Sequence, residues 1–260
     1  MGYGDDVIAT GLAKGAAARG RRIAFGSEGR IKWGPFSREI FRGNPNIAHP
    51  GEETRSDIEW IRFHPGHRIY ASYNGVTNLV WNYEFKVKTG EIYFERDPGP
   101  RKDHLITIEP NVFIGDRPGK EYSSNKQWPV ERYQKVADHL TRIGFKVVQP
   151  WYRKSRVRLD NIKTVDTPTY TDAVALIKKA RLHIGPEGGL QQGAAAVGTR
   201  AVILFGGFSP PQVMGHDMHI NLTGDDDPCG SLKACSHCAE TMRRISVDEV
   251  ISAVKSILGC

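Results

Sequence analysis

The chain has no apolar run long enough to cross a bilayer: its longest clean stretch is Ala201 to Phe205 (AVILF), against the ~20 residues a spanning helix needs. Its opening residues, MGYGDDVIATG, carry two acids where a secretory leader carries basic residues, which predicts a soluble, cytoplasmic chain without a transmembrane segment. Cysteine is scarce as well. Four in 260 residues do not make a disulfide scaffold, so reduced thiols are expected. No internal repeat of solenoid period is visible, and no glycine spacing matches a Walker loop or the dinucleotide GxGxxG. At 39% hydrophobic and 25% charged residues, wholesale disorder is excluded too, and the length suits one large domain or two small ones.

Positive charge and glycine are in surplus. Thirty-six Lys and Arg against 29 Asp and Glu give +7, which favours phosphates, nucleotides, nucleic acids or anionic glycolipids as partners. Glycine numbers 28, above the usual ~7%, and the excess sits in short turns such as Gly185 to Gly189 and Gly206-Gly207. Such turns let a backbone approach a ligand.

In the second half, apolar runs of strand length alternate with segments of helical period. Strands are expected at Leu105 to Ile108, Phe145 to Val148, Leu182 to Ile184, Ala201 to Phe205 and Met218 to Leu222. Between them fall helices from Val130 to Ile143 after Pro129, Thr171 to Ala180, Leu190 to Val197 and, at the end, Val247 to Leu258. Alternation of this kind predicts an α/β fold, a parallel sheet with helices on both faces. The first ~100 residues are less regular: a helix from about Asp6 to Arg19, then strands at Arg22 to Phe25, Ile58 to Phe63, Arg68 to Tyr70 and Glu91 to Phe94. Asp97-Pro98-Gly99-Pro100-Arg101-Lys102-Asp103 has linker composition, which divides the chain into domains 1–98 and 99–260.

Five segments hold candidate chemistry. In His183-Ile184-Gly185-Pro186-Glu187-Gly188-Gly189-Leu190-Gln191-Gln192 a strand ends in a glycine-rich turn that opens a helix, which makes either a phosphate site on free amides or a tight packing turn. Gly4-Asp5-Asp6 precedes a helix, where one carboxylate caps the helix and a second is free to act as a general base. Ser123-Ser124-Asn125-Lys126-Gln127-Trp128-Pro129 delivers Lys126 either to a ligand phosphate or to solvent. Cys229, Cys235 and Cys238, with His237, invite a zinc reading, but no second paired-ligand knuckle accompanies them, and a reduced structural cluster with no metal is expected. Trp151 to Arg158 packs four cations beside two aromatics, suited to nucleic-acid backbone and bases or to a solvated loop.

Taken in order, these segments resemble glycosyltransferase family 9, the heptosyltransferase-like enzymes. Gly4-Asp5-Asp6-Val7-Ile8-Ala9-Thr10 is similar to the family's Gly-Asp-x-hydrophobic-hydrophobic-x-Thr turn, and Lys126-Gln127-Trp128-Pro129 to its Lys-x-Trp-Pro. Gly185 to Ala196 resembles its donor-binding segment, with Glu187 and Gly188 standing where the family has Asp and Thr and Gln192 where it has His. Phe205-Gly206-Gly207-Phe208-Ser209-Pro210 resembles its Phe-Gly-x-x-x-Pro turn, and the tail from Cys235 to Val250 its Cys-rich end and last helix.

The resemblance implies a GT-B-like fold, two Rossmann-like domains facing a cleft, with the N-terminal one small and irregular. It also implies a metal-independent, inverting transfer of a hexosyl or heptosyl unit from a nucleotide-sugar co-substrate, with no cofactor. Asp5 would deprotonate the acceptor hydroxyl and Asp6 orient it or cap the helix. Lys126 and the turn of Gly188, Gly189 and Leu190 would stabilise the leaving diphosphate, Glu187 would hold a sugar hydroxyl, and Gln191 and Gln192 complete the donor segment. The acceptor would be a surface glycan, glycolipid or lipopolysaccharide, or a hydroxylated base of a nucleic acid. A non-catalytic nucleotide- or nucleic-acid-binding module on the same fold is the alternative from another class.

Overall fold

Where the sequence is periodic, local signals set the elements. In the computed structural model, which describes residues 1–75, 77–112, 125–224 and 227–259, Ser123, Ser124 and Cys260 lie outside the described residues. The first half holds α1 (Tyr3–Ala17), β1 (Arg22–Ser27), β2 (Arg30–Ile31), α2 (Ser37–Ile40), β3 (Ile58–Ile61), β4 (Ala71–Asn74) and β5 (Asn78–Trp81). The second holds β6 (Lys102–Ile108), α3 (Val130–Arg142), β7 (Lys146–Trp151), β8 (Lys163–Asp166), α4 (Tyr170–Lys179) and β9 (Ala180–Pro186). It continues with α5 (Gly189–Ala196), β10 (Ala201–Leu204), α6 (Pro211–Met214), β11 (Ile220–Leu222), α7 (Ser236–Arg244) and α8 (Val247–Leu258).

Six strands of the second half pair in parallel in the order β11-β10-β9-β6-β7-β8. Numbered by entry into the sheet, this is 6-5-4-1-2-3, the doubly wound order whose direction reverses between β6 and β9. The period of two along β10 assigns its faces: Ala201 and Ile203 pack towards α4, α5 and the first half, whereas Val202 and Leu204 join the core under α3 and α8. Capping boxes start two of the helices, Thr169 with Asp172 for α4 and Ser246 with Glu249 for α8, and Gly259 at φ 78° stops α8.

The first half is smaller and less regular, as expected. Its three-stranded sheet, β2-β1-β3, contains one parallel pair, β1 with β3, and β4 and β5 form a separate antiparallel hairpin. Two expected strands are not formed. Arg68 to Tyr70 turns its side chains to Asp5 rather than joining a ladder. Around Glu91, side chains satisfy one another in place of a partner strand: its amide bonds Thr10 Oγ1 and its carboxylate accepts from Asn44 and Asn46.

Helix α1 lies against α5, and small residues permit it. A Cβ on Gly4 would come within 3.3 Å of Gly189 Cα, and one on Gly11 within 2.6 Å of the Lys88 carbonyl oxygen. Tyr3 stacks on Tyr170 at 4.5 Å, and Glu39 accepts from both Tyr3 and Thr171, so α1, α2 and α4 are tied where α1 begins. Among the described residues no helix is long and apolar enough to cross a membrane.

Candidate functional site

The first turn of α1 carries two buried carboxylates with different surroundings. Asp5 accepts from the Gly2 amide through Oδ2 at 2.5 Å and from the Tyr70 hydroxyl through Oδ1, which also faces Arg68 Nε at 3.4 Å. Arg68 in turn donates to the Tyr73 hydroxyl and lies 6.0 Å from the Tyr70 ring. Asp6 receives one bond, from Ser37 Oγ at 3.1 Å, and its Oδ2 is buried without a hydrogen-bond partner. Burial, and then the neighbouring Asp5 carboxylate, push the Asp6 carboxyl up to about 7 despite the Ser37 bond.

Across from this turn, β9 ends and α5 begins. Gly188 sits at φ 153°, a conformation that favours glycine, and its amide is capped by Gln191 Oε1 at 3.3 Å. Buried Glu187, just before the turn, is ion-paired with half-buried Lys126, whose ammonium also lies 4.8 Å over the Phe208 ring. Lys126 is held in register by its neighbours: buried Trp128 donates to the Ile245 carbonyl at 2.9 Å, and Asn125 binds the Ser231 and Lys233 carbonyls. Gly4, just before Asp5, packs on Gly189, so the α1 turn lies against the α5 turn.

The structure therefore brings together Asp5, Asp6, Glu187, Lys126 and the Gly188-Gly189-Leu190 turn. The Gln191 and Gln192 side chains turn their amide nitrogens to α6, while Gln191 Oε1 stays on the Gly188 amide. Both are buried and donate to the Met214 carbonyl, at 2.7 and 3.2 Å, which ties α5 to α6. Because Gln192 donates through Nε2, its Oε1 accepts, and the His216 Nε2 at 2.7 Å is the donor. Burial holds the His216 ring down at about 4, consistent with a neutral donor. Arg68 and Tyr70 were missed from the sequence because their stretch reads as a strand; nothing local marks residues whose partner lies more than 60 positions away.

A cavity of about 360 Å³ opens at the carboxyl ends of β6 and β7, lined by Asn111, Gln127, Arg153, Lys154, Arg156 and Val157 among others. Asn111 in its lining is tied to buried Glu109. Asn111 donates to the Glu109 carboxylate at 2.7 and 2.8 Å and receives the Arg156 and Val157 amides. Burial pushes the Glu109 carboxyl up to about 7 against those two bonds. A crevice beside the strand-order reversal is where doubly wound sheets bind ligands. Arg153, Lys154 and Arg156 of the Trp151 to Arg158 run thus line a small-molecule-sized space.

Residues 72–231 match the sequence model of glycosyltransferase family 9 (heptosyltransferase). Among curated proteins none matches the chain. Solved structures are similar in fold. A family 9 glycosyltransferase from Veillonella parvula has a TM-score of 0.61 at 13% identity, with 99% of this chain and 94% of that one covered. TibC from enterotoxigenic E. coli, described as a bacterial iron-containing dodecameric glycosyltransferase, has a TM-score of 0.65 at 14% identity, covering 98% and 73%. The same heptosyltransferase in complex with ADP-D-beta-D-heptose gives 0.58 at 13%, covering 91% and 76%. The α/β fold is thus GT-B-like.

Proposed function

The chain belongs to glycosyltransferase family 9, and from that premise we propose that it moves a glycosyl unit from a nucleoside diphosphate sugar to an acceptor hydroxyl by a single inverting displacement that needs no metal. What supports this reading is that the first turn of α1, with Asp5, packs on the start of α5, the element that follows Glu187 and its ion-pair partner Lys126: a Cβ on Gly4 would come within 3.3 Å of Gly189 Cα. Asp5 takes the proton of the acceptor hydroxyl as its oxygen attacks the anomeric carbon, and the nucleoside diphosphate leaves from the opposite face. Tyr70 and Arg68 fix the Asp5 rotamer. The capping expected of Asp6 is not formed, since α1 begins at Tyr3 and it is Asp5 that takes the Gly2 amide; Asp6, bonded to Ser37, is left to orient Asp5.

Negative charge developing on the leaving diphosphate meets the Lys126 ammonium and the Gly189 and Leu190 amides at the positive end of α5. Lys126 exchanges its Glu187 partner for the diphosphate, which releases Glu187 to bind a hydroxyl of the donor sugar. The nucleoside occupies the cavity of Asn111, Gln127 and Arg156. On this reading residues 1–98 form the acceptor side and 99–260 the donor domain. ADP-heptose is the first donor to try, since TibC was solved with ADP-D-beta-D-heptose. The acceptor is an anionic surface glycan or glycolipid: a second cavity of about 410 Å³, in the first half, is lined by Trp33, Arg38, Arg42, Gly43, His49 and Pro50.

A thermal-shift screen of nucleoside diphosphates and their sugar conjugates, with and without EDTA, tests the donor. A ligand at a hundredfold excess over its Kd stabilises by ~2.7 kcal/mol, and one nucleotide is expected to do so regardless of EDTA. No shift with any nucleotide counts against a donor site. Turnover that stops at Asp5→Ala separates a transferase from a binding module, which has no turnover to lose.

A further inference from the structure

Three thiols and an imidazole converge where the loop after β11 meets the start of α7. One ligand atom each from Cys229, Cys235, His237 and Cys238 lies within 4.8 Å of the other three. Cys229 Sγ is 3.2 Å from Cys238 Sγ and 3.9 Å from Cys235 Sγ. A disulfide requires about 2.05 Å, so these are free thiols. On a tetrahedron with metal–sulfur bonds of about 2.3 Å, adjacent sulfurs stand about 3.8 Å apart, and the two separations bracket that edge. Three thiolates and one imidazole are a complete ligand set for a closed tetrahedral site, and thiolate softness selects zinc or ferrous iron over magnesium or calcium.

We propose that Cys229, Cys235, His237 and Cys238 bind one soft divalent cation, Zn²⁺ or Fe²⁺, and that the metal clips the second half of the chain to the β4–β5 hairpin of the first. Spacing argues against a metal in the sequence, because Cys-x5-Cys-x-His-Cys has one pair of nearby cysteines; the fold brings in the third. The Ser231 amide points at Cys229 Sγ at 3.5 Å, the kind of second contact that orients a metal thiolate.

The clip follows from what the same loop holds. Asn78 Nδ2 donates to the Cys229 carbonyl at 3.1 Å, the Leu79 amide to Gly230 at 2.9 Å, and the Leu232 amide to Thr77 at 2.8 Å. Gly230, at φ 61°, has no room for a side chain, because a Cβ would sit on the Leu79 carbonyl oxygen. On the other side Asn125 accepts from the Cys235 amide at 2.9 Å, and Lys126 follows it in the chain. One ion would therefore fix the hairpin contact and the approach to Lys126 together, without taking part in any transfer. The inference stands whether or not the chain transfers a sugar.

The test is metal content of the full-length, tag-free protein grown with zinc and iron supplied, measured by elemental mass spectrometry. About one zinc or iron per chain is expected, falling at least tenfold in Cys235→Ser and Cys238→Ser. Exchange into Co²⁺ should give thiolate charge-transfer and tetrahedral d–d absorption. His237→Ala, which keeps all three thiolates, guards against misfolding: it should bind the ion at least tenfold more weakly, and His237→Cys should restore it. Stripping the ion with a chelator should speed hydrogen exchange at the Leu79 and Leu232 amides. Less than a tenth of an ion per chain, with all four thiols of the chain titratable or a Cys229–Cys238 disulfide, would overturn the site. An ion whose removal leaves those two amides unchanged would overturn the clip. Metal content does not depend on turnover, so failure here and failure of the transferase reading are distinguishable.

Discussion

The two halves of the molecule build their cores differently. The core under α3 and α8 is made from residues 106 to 257, from Ile106 and Ile108 through Leu182 and Val202 to Ile257, all within the second half. The core around α1 has no such independence: Val7, Ile8 and Phe25 share it with Val174, Ala194, Ile203, Phe205 and Phe208. Short strands and a hairpin cannot bury enough surface alone. The first half takes its order from the second half it lies against, and in doing so sets the first turn of α1, with Asp5, against the start of α5. On the proposed reading, catalysis and cohesion share one boundary.

The largest effect that tests this division is on the Asp5 carboxylate. Asp5→Asn should lower kcat by about 10²–10⁴, with the Kd for nucleotide-sugar within about twofold by calorimetry. A drop in kcat of less than tenfold would mean that the first half does not supply the base. Next comes Lys126→Met, expected to cost about 10²–10³ in kcat/KM through the lost stabilisation of the leaving diphosphate. A smaller change, with Kd alone affected, would reduce Lys126 to a binding group.

Asp6 sharpens the comparison through pH. Its folded pKa of about 7 exceeds the ordinary 3.8, so between those values the folded protein holds a proton that the unfolded chain has released. That contribution to stability is fully present below pH ~4 and is lost as pH rises to ~7. Asp6→Asn removes it, so the stability of the variant relative to wild type should rise by about 1 kcal/mol per pH unit across that window and level off above it. His183 and His216, held down at about 3 and about 4 by burial, act in the opposite direction but cancel in the difference. A flat difference in urea titrations from pH 4 to 8 would show that Asp6 is not buried against its neighbours.

The smallest effects lie on one helix. Gly11→Ala in α1 drives a methyl to 2.6 Å from the Lys88 carbonyl and should cost about 1–3 kcal/mol. Gly15→Ala, with nothing within 4 Å, should gain about 0.5–1 kcal/mol. Equal Tm shifts for the two would mean that α1 is not embedded as described.

Much of the second half was legible because its cues are local. Pro129 and the spacing of Tyr133, Val136, Ala137 and Leu140 bound α3, and the apolar run from Ala201 marks β10. Edge strand β8 was missed, for Lys163–Asp166 is short and half-polar, and α7 was missed because its composition is mostly polar. In the first half the decisive partners are distant: Tyr70 to Asp5, Glu39 to Thr171, Asn78 to Cys229. Motif order singles out Asp5, Lys126, Glu187, Gln191 and Gln192; what it does not show is that the Gln191 and Gln192 amides also tie α5 to α6 in the fold.

The central claim is that both halves form one site. Hydrogen exchange of the full chain, with and without a saturating nucleoside diphosphate sugar, tests it most directly. Slowed exchange is predicted at the Gly188 to Gln192 turn and, together with it, at Arg68 to Tyr73 and the first turn of α1. Protection confined to the second half, with the α1 turn and the Tyr70 segment unchanged, would contradict it.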